Sequence, residues 1–121
     1  MSKILNSPSG LLRLEGAVVF TIALVLYGHL DSDWWLFVLL FFVPDVSMIG
    51  YVINTRIGAT IYNLVHVYAL PAILGLVGLF TINALLVSGS LIWFAHIGLD
   101  RLLGFGLKYP TVFKDTHLQR V

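Results

Sequence analysis

Apolar residues fill most of the chain in four long stretches, and short polar segments separate them. The polar segments occupy residues 31–33, 54–56 and 80–83. This pattern predicts four helices over residues 11–30, 34–53, 57–80 and 84–103, followed by a short tail over 105–121. Each stretch is close to the ~20 residues that a helix needs to cross the hydrocarbon core. The chain is therefore expected to be all-α, a single transmembrane domain built as a polytopic membrane four-helix bundle.

Composition supports a membrane location. Hydrophobic residues make up 59% of the 121 residues and charged residues only 11%, whereas soluble domains carry about 25% charged residues. The lipid bilayer is the expected surrounding, and the net charge of +1 gives no reason to expect nucleic acid as a partner. The chain has no cysteine, which excludes disulfides, thiolate catalysis and iron–sulfur clusters.

The basic residues predict how the spans are oriented. With four spans, both termini and the turn at 54–56 lie on one side of the membrane. All seven lysines and arginines fall on or near that side: Lys3, Arg13, Arg56, Arg101, Lys108, Lys114 and Arg120. The positive-inside rule then predicts that both termini are cytoplasmic.

Several ionisable residues lie at similar depths in the predicted cytoplasmic half of the bilayer. At 1.5 Å of rise per residue, Asp45 is roughly 12 Å deep, His66 roughly 13 Å, His96 roughly 10 Å and Asp100 roughly 5 Å. Glu15 is also shallow. Ionisable groups inside a membrane are costly and usually functional. A polar site near the cytoplasmic face is therefore expected.

Local sequence adds detail to this site. His96 and Asp100 are four residues apart, so they share one helix face with Gly89 and Trp93. Pro44 removes a backbone hydrogen bond directly before Asp45 and predicts an irregular backbone there. Such a break is tolerated at membrane depth where it faces protein or a cavity.

Residues near these four are given secondary roles. Tyr62 and Asn63, one turn before His66, and Glu15 are expected to support the site, and Arg101 is expected to bind an anionic headgroup. Four glycines are interpreted as points of close helix packing. They are Gly75, Gly78, Gly89 and Gly104.

Two histidines with carboxylates are suitable ligands for zinc, iron or manganese. The predicted ligand or acid–base set is Asp45, His66, His96 and Asp100. A bound divalent ion would offset the cost of burying the two aspartates and could activate water. The sequence has neither the Glu-x-x-His pairs of di-iron bundles nor His-Glu-x-x-His. The purely structural alternative is that the same groups only join helices by hydrogen bonds.

Three segments resemble a known family. They are Pro44-Asp45, Tyr62-Asn63-x-x-His66, and His96-x-Gly98-x-Asp100-Arg101-x-x-Gly104-x-Gly106-Leu107-Lys108-Tyr109. Together they resemble an uncharacterised bacterial family of small four-helix membrane proteins, a domain of unknown function. The resemblance implies the bacterial cytoplasmic membrane as the location and these positions as the site, but it implies no activity.

Two functions of different classes are compatible with this sequence. The first is a metal-assisted hydrolase of a lipid or amphipathic small molecule. The alternative is a non-catalytic transporter or accessory subunit, which would require a homo-oligomer or a partner in a membrane complex. Haem held by His66 and His96 is less favoured, because haem also needs a wide apolar slot.

The topology prediction can be tested with reporter fusions. Reporters fused after residues 10, 55 and 121 should read cytoplasmic, and reporters at 32 and 82 should read periplasmic, because all seven basic residues lie on one side. A periplasmic carboxyl terminus would contradict both the four-span arrangement and the depths derived from it.

Overall fold

Six helical segments make up the fold over residues 7–107, the part of the chain that the computed structural model describes. The helices are α1 (Pro8–His29), α2 (Trp34–Phe41), the 3₁₀ helix η1 (Val43–Val52), α3 (Thr55–Val65), α4 (Ala69–Phe80) and α5 (Ala84–Leu102). They form four membrane-spanning segments, each long and apolar enough to cross a bilayer. The segments are Pro8–His29, Trp34–Val52, Thr55–Phe80 and Ala84–Leu102.

The predicted all-α polytopic membrane fold is confirmed. The observed spans begin and end within about three residues of the predicted ones. Most of the predicted tail, together with Lys3, Lys108, Lys114 and Arg120, lies outside the described residues. The side of the membrane on which the termini lie stays a prediction.

Polar caps explain where three of the spans begin. The side chains of Asp33, Asn54 and Asn83 each accept backbone N–H groups in the first turn of the helix that follows. Those N–H groups have no partner within the helix, and hydrocarbon offers them no water. The short polar segments of the sequence therefore act as helix starts as well as turns.

The second span changes helix type at the predicted position. α2 ends at Phe41, and the 3₁₀ helix η1 follows with Pro44 in its first turn. The Asp45 N–H donates to the Phe42 carbonyl at 3.1 Å, so the Phe41 carbonyl loses its α-helical partner. A 3₁₀ run of ten residues is unusually long, and such runs often mark functional or strained segments.

The third span is divided, which the sequence analysis did not predict. α3 ends at Val65 and α4 begins at Ala69, with His66 as the residue that caps α3. Pro71 accounts for the break, because it has no N–H to offer the Val67 carbonyl and its ring would clash with that carbonyl in a continuous helix. His66 therefore lies at a helix end rather than in a helix interior.

α5 is the central helix of the fold. α1, α2 and α4 pack against it, whereas α3 packs mainly against η1. The buried apolar core lies where α1, α2 and α5 meet. It consists of Ala23, Tyr27, Phe37, Ile92 and Ala95. The η1–α3 pair is therefore a separate hairpin that faces α5 across a gap.

Glycines set how closely the helices approach. A Cβ on Gly98 would lie 2.7 Å from the Gly16 carbonyl oxygen, so α1 and α5 cross backbone to backbone. The predicted packing role is confirmed for Gly75 and Gly78, where an added Cβ would lie 2.7 Å from Ser90 Oγ and 2.9 Å from the Val87 backbone nitrogen, respectively.

The interpretation is also confirmed for Gly104 and is wrong for Gly89. A Cβ on Gly104 would clash with the guanidinium group of Arg13 in α1. A Cβ on Gly89 would meet only Leu74 Cδ2, at an ordinary van der Waals distance of 3.8 Å, so the packing of the helices does not require glycine here. Gly104 has a φ of +93° and ends α5, where the Phe105 N–H donates to the Asp100 carbonyl at 2.7 Å. That turn needs a left-handed residue, which glycine adopts without steric cost.

Two glycines of α5 give a matched test of this packing. Gly98→Ala should destabilise the protein by about 1–3 kcal/mol, because the new methyl group forces α1 and α5 apart. Gly89→Ala adds the same methyl group where it makes only an ordinary contact with Leu74, and it should be neutral or stabilising by up to ~1 kcal/mol. Thermal unfolding in detergent measures both. Equal effects of the two substitutions would contradict the close crossing.

Candidate metal centre

Four ionisable side chains from three segments meet between α5 and the η1–α3 pair. Asp45 comes from η1, His66 from the end of α3, and His96 and Asp100 from α5. One ligand atom from each residue lies within 4.8 Å of the other three. The four residues predicted from depth alone are therefore adjacent in space, and we call them the Asp–His cluster. Their roles as ligands or catalysts stay predictions.

Three of the four atoms form a nearly equilateral triangle. The Nε2 atoms of His66 and His96 are 3.3 Å apart, and Asp100 Oδ2 lies 3.4 Å from the first and 3.2 Å from the second. Ligands bound tetrahedrally at ~2.0–2.1 Å from zinc are about 3.3 Å from one another. The triangle therefore has the size of one face of a metal coordination sphere.

Asp45 completes the cluster less tightly. Its Oδ1 is 3.2 Å from His96 Nε2 but 4.0 Å from His66 Nε2. Its side chain is 38% exposed, compared with 19% for Asp100 and 3% for each histidine. Asp45 thus lies at the accessible edge of the cluster, where it can be a fourth ligand or can act on a bound molecule.

The His66 ring is oriented by contacts with Tyr62. His66 Nδ1 lies 2.8 Å from the Tyr62 carbonyl oxygen, to which it can donate only as Nδ1–H. The ring also stacks on the Tyr62 ring with centroids 3.7 Å apart. In the neutral imidazole this tautomer leaves the Nε2 lone pair directed at the cluster, as in many metal-ligating histidines.

The His96 ring is held by α2. It packs edge-on against the Phe41 ring at a centroid distance of 5.1 Å. His96 Nδ1 is buried and makes no hydrogen bond within the part of the chain that the structure describes. The His96 side chain is buried, and its Nε2 atom makes the contacts with the other three residues of the cluster.

Side chains of α5 hold the broken third span in place. Trp93 Nε1 donates to the Val65 carbonyl at 2.7 Å, and an Arg101 guanidinium N–H donates to the His66 carbonyl at 3.1 Å. Both carbonyls lie at the end of α3, where the helix no longer supplies a partner. These two bonds therefore fix the backbone on either side of the His66 Cα.

The remaining predicted residues lie around the cluster. Arg101 contacts the His66 backbone and lies 5.7 Å from the centre of the Tyr68 ring, and its predicted binding of a headgroup stays a prediction. The Asn63 carbonyl accepts the His66 N–H at 3.1 Å. Glu15 is exposed and is not one of the grouped ligand residues.

Sequence reasoning missed Trp93 as a positioning residue and missed the close approach at Gly98. Trp93 was recognised on the His96 face, but its partner is the Val65 carbonyl, which becomes free only because α3 ends there. Pro71 was the available signal for that break. Gly98 lies between His96 and Asp100, so the same turn that carries the ligands also carries the contact with α1.

An apolar cavity lies near the cluster, lined by chain neighbours of two of its residues. Its volume of about 460 Å³ is within the ~300–1,000 Å³ range of ligand pockets. It lies between α5 and the η1–α3 pair. Its walls include Val43, Val46, Ile61, Val65, Ile92 and Trp93. Pro44 and Val65 also line it, and they are the chain neighbours of Asp45 and His66.

The Trp93 hydrogen bond can be tested by one substitution. Trp93→Phe should lower the free energy of unfolding by about 1 kcal/mol or more, because the Val65 carbonyl loses its donor in an apolar surrounding. Trp35→Phe is the matched control, since the Trp35 side chain is largely exposed. Denaturation in detergent measures both, and equal losses would show that the bond does not stabilise the break.

Comparison with known proteins identifies the family and no closer relative. Neither the curated proteins nor the solved structures contain a significant match. A family model, described as a domain of unknown function (DUF4260), matches residues 9–121. This range includes all four residues of the Asp–His cluster. The chain, a polytopic membrane protein of four apolar spans, therefore belongs to the DUF4260 family.

Proposed function

We propose that the Asp–His cluster binds one divalent metal ion and that the protein is a metal-dependent hydrolase of the bacterial cytoplasmic membrane. Its substrate would be a lipid or an amphipathic small molecule. The observation that carries the proposal is the 3.2–3.4 Å triangle formed by His66, His96 and Asp100. Two neutral imidazoles and a carboxylate are a usual zinc ligand set in hydrolases.

Charge also favours a cation at this position. Two aspartates converge on two buried imidazole nitrogens, and hydrocarbon makes unpaired anions costly. A divalent ion neutralises both carboxylates. Two imidazolium ions would neutralise them as well, which is the purely structural alternative, a network of ion pairs between helices. Metal content distinguishes the two arrangements.

The ligand count bears on catalysis. Structural zinc sites are closed by four protein ligands, whereas catalytic sites have three and leave one position for water or substrate. His66, His96 and Asp100 supply three. Asp45 is more exposed and farther from His66, so we assign it the role of a general base beside the open position.

A bound metal would polarise a substrate carbonyl and activate water. The chain's own groups would do the rest. Asp45 would accept the proton as water adds to the carbonyl carbon of an ester, and it would return that proton to the leaving oxygen when the ester C–O bond breaks. The products would be a carboxylic acid and an alcohol. Tyr62 would hold the His66 ring in its ligating tautomer throughout.

A haem role receives no support from this geometry. Two histidines that bind one haem iron lie on opposite faces of the porphyrin, so their Nε2 atoms are about 4 Å apart with the ring between them. Here the two atoms are 3.3 Å apart and both contact the aspartates. The transporter and accessory-subunit alternatives require no specific geometry at the cluster. A measurement of hydrolysis distinguishes them from the hydrolase.

The metal proposal predicts different effects for the two aspartates. Asp100→Asn and His96→Ala should reduce bound metal to background and remove the effect of chelators on thermal stability. Asp45→Asn should retain about one metal ion per chain but lose hydrolysis of carboxylic esters by roughly 100-fold or more. Elemental analysis, melting with and without chelator, and chromogenic ester hydrolysis measure these effects.

Controls and contrary outcomes are well defined. Asp31→Asn and His29→Ala alter the same residue types at the end of α1 and in the turn that follows it, and they should match the wild type. The structural alternative would be established by two results together. The wild type would contain no metal, and His96→Ala would lower the free energy of unfolding by only the ~0.6 kcal/mol typical of hydrogen bonds between membrane helices. Metal without hydrolysis would favour a transporter or accessory subunit, and bound iron would favour oxygen chemistry at this ligand set.

A further inference from the structure

We infer that the apolar cavity beside the Asp–His cluster holds one hydrocarbon chain of the substrate, with the polar end of that molecule at the cluster. The substrate class is thereby narrowed to long-chain amphiphiles, such as lipids, that enter from the leaflet in which the cluster lies. This inference rests on the proposed function, because the cluster is taken as the reacting end.

The cavity and the cluster share one face of α5. Gly89, Ile92 and Trp93 border the cavity, and His96 and Asp100 follow them at helical spacing. From Trp93 to His96 the helix rises about 4.5 Å, and from Gly89 to His96 about 10 Å. A molecule that lies along this face therefore meets apolar walls first and the ligand atoms at one end.

The chain connections bring the two sites close together. Pro44 and Val65 line the cavity, and each immediately precedes a cluster residue, Asp45 and His66. The residues that line the cavity include one serine, Ser47, and no ionisable residue, so the cluster lies beside the cavity and not in its wall. An apolar pocket that ends at a few convergent polar groups is the usual form of a site for an amphipathic ligand.

Depth in the membrane fits a lipid oriented as it is in a bilayer. Asp100 is two residues and His96 six residues from the end of α5 at Leu102, or about 3 Å and 9 Å along the helix axis. Ile92 and Gly89 are about 15 Å and 20 Å from that end, near the bilayer midplane. The headgroup side of a lipid would thus face the cluster, and its chain would extend inward.

Access from the bilayer is available without rearrangement. Val43 and Val46, which line the cavity, are 53% and 58% exposed, and they face outward in a span surrounded by lipid. The gap exists because α3 packs on η1 rather than on α5. A chain can therefore enter sideways between η1 and α5, as a lipid-derived substrate requires.

A second apolar groove provides an internal comparison. It has a volume of about 230 Å³ and lies between α1 and α5, bordered by Ile22, Leu26, Leu91 and Phe94 among others. No ionisable residue lines it. A hydrocarbon chain bound only because lipid fills apolar grooves would occupy both, whereas a substrate chain anchored at the cluster would occupy only the first.

The test uses a long-chain hydroxamic acid with a photoreactive diazirine at mid-chain, because hydroxamates bind metals as ester analogues. The probe is added to zinc-loaded full-length protein in phosphatidylcholine nanodiscs. Labelling of the cavity walls should saturate and should be displaced by the unlabelled hydroxamate. Val46→Trp, which fills the cavity, should reduce this labelling at least about fivefold, the factor that corresponds to ~1 kcal/mol. Ile22→Trp is the matched control in the second groove and should have no effect.

Each outcome bears on one of the two claims. Equal, non-saturable labelling of both grooves, with zinc bound, would overturn the chain site and leave the metal centre standing. Saturable labelling of the cavity in protein that binds no zinc would refute the metal centre and retain the chain site. If Val46→Trp fails to fold, Gly89→Leu serves instead, because Gly89 lines the cavity and a Cβ there makes only one ordinary contact, with Leu74. The wild-type labelling pattern decides independently of either variant.

Discussion

Hydrocarbon offers no hydrogen bonds, so every backbone carbonyl that a helix break releases inside the bilayer needs a partner from the protein. Two of the four spans of this protein are broken, at Pro44 and before Pro71, and α5 supplies partners for the second break. Trp93 donates to the Val65 carbonyl and Arg101 to the His66 carbonyl. The irregular backbone is therefore tolerated because α5, a central and unbroken helix, places hydrogen-bond donors beside the free carbonyl groups.

The breaks also determine where the ligand atoms lie. A continuous third helix would place His66 in a regular turn, whereas here it caps α3 and reaches the His96 and Asp100 side chains. The 3₁₀ segment does the same for Asp45. Because the η1–α3 pair has few other contacts with α5, a metal at the cluster would join the two parts of the fold. Metal binding would then stabilise the native arrangement as well as equip it for chemistry.

Much of the fold and the membership of the site could be predicted from the sequence, because hydrophobic length and helical rise are local properties. They give the four spans and the common depth of Asp45, His66, His96 and Asp100. The pairing of α3 with η1 could not be predicted, since it depends on contacts such as Gly50 and Gly58 that have no periodic signal. The same holds for Gly98, whose packing role appears only once α1 crosses α5. The depth of a residue in the bilayer can be predicted from the sequence. Which residues of similar depth contact one another depends on how the helices are rotated and where they cross.

The geometry of the cluster argues more for a reactive centre than for a purely structural one. A closed structural site holds its metal with four protein ligands at tetrahedral spacing. Four of the six ligand-atom distances meet that spacing at 3.2–3.4 Å: the three among His66, His96 and Asp100, and the one from Asp45 to His96. Asp45 departs from it by its 4.0 Å separation from His66 and by its greater exposure. A carboxylate as exposed as that of Asp45 contributes little to holding helices together. The asymmetry leaves one side of the cluster accessible, and that side belongs to the segment whose next residues, Val46 and Ser47, line the apolar cavity. The substrate access and the general base that we propose both depend on this departure from symmetry.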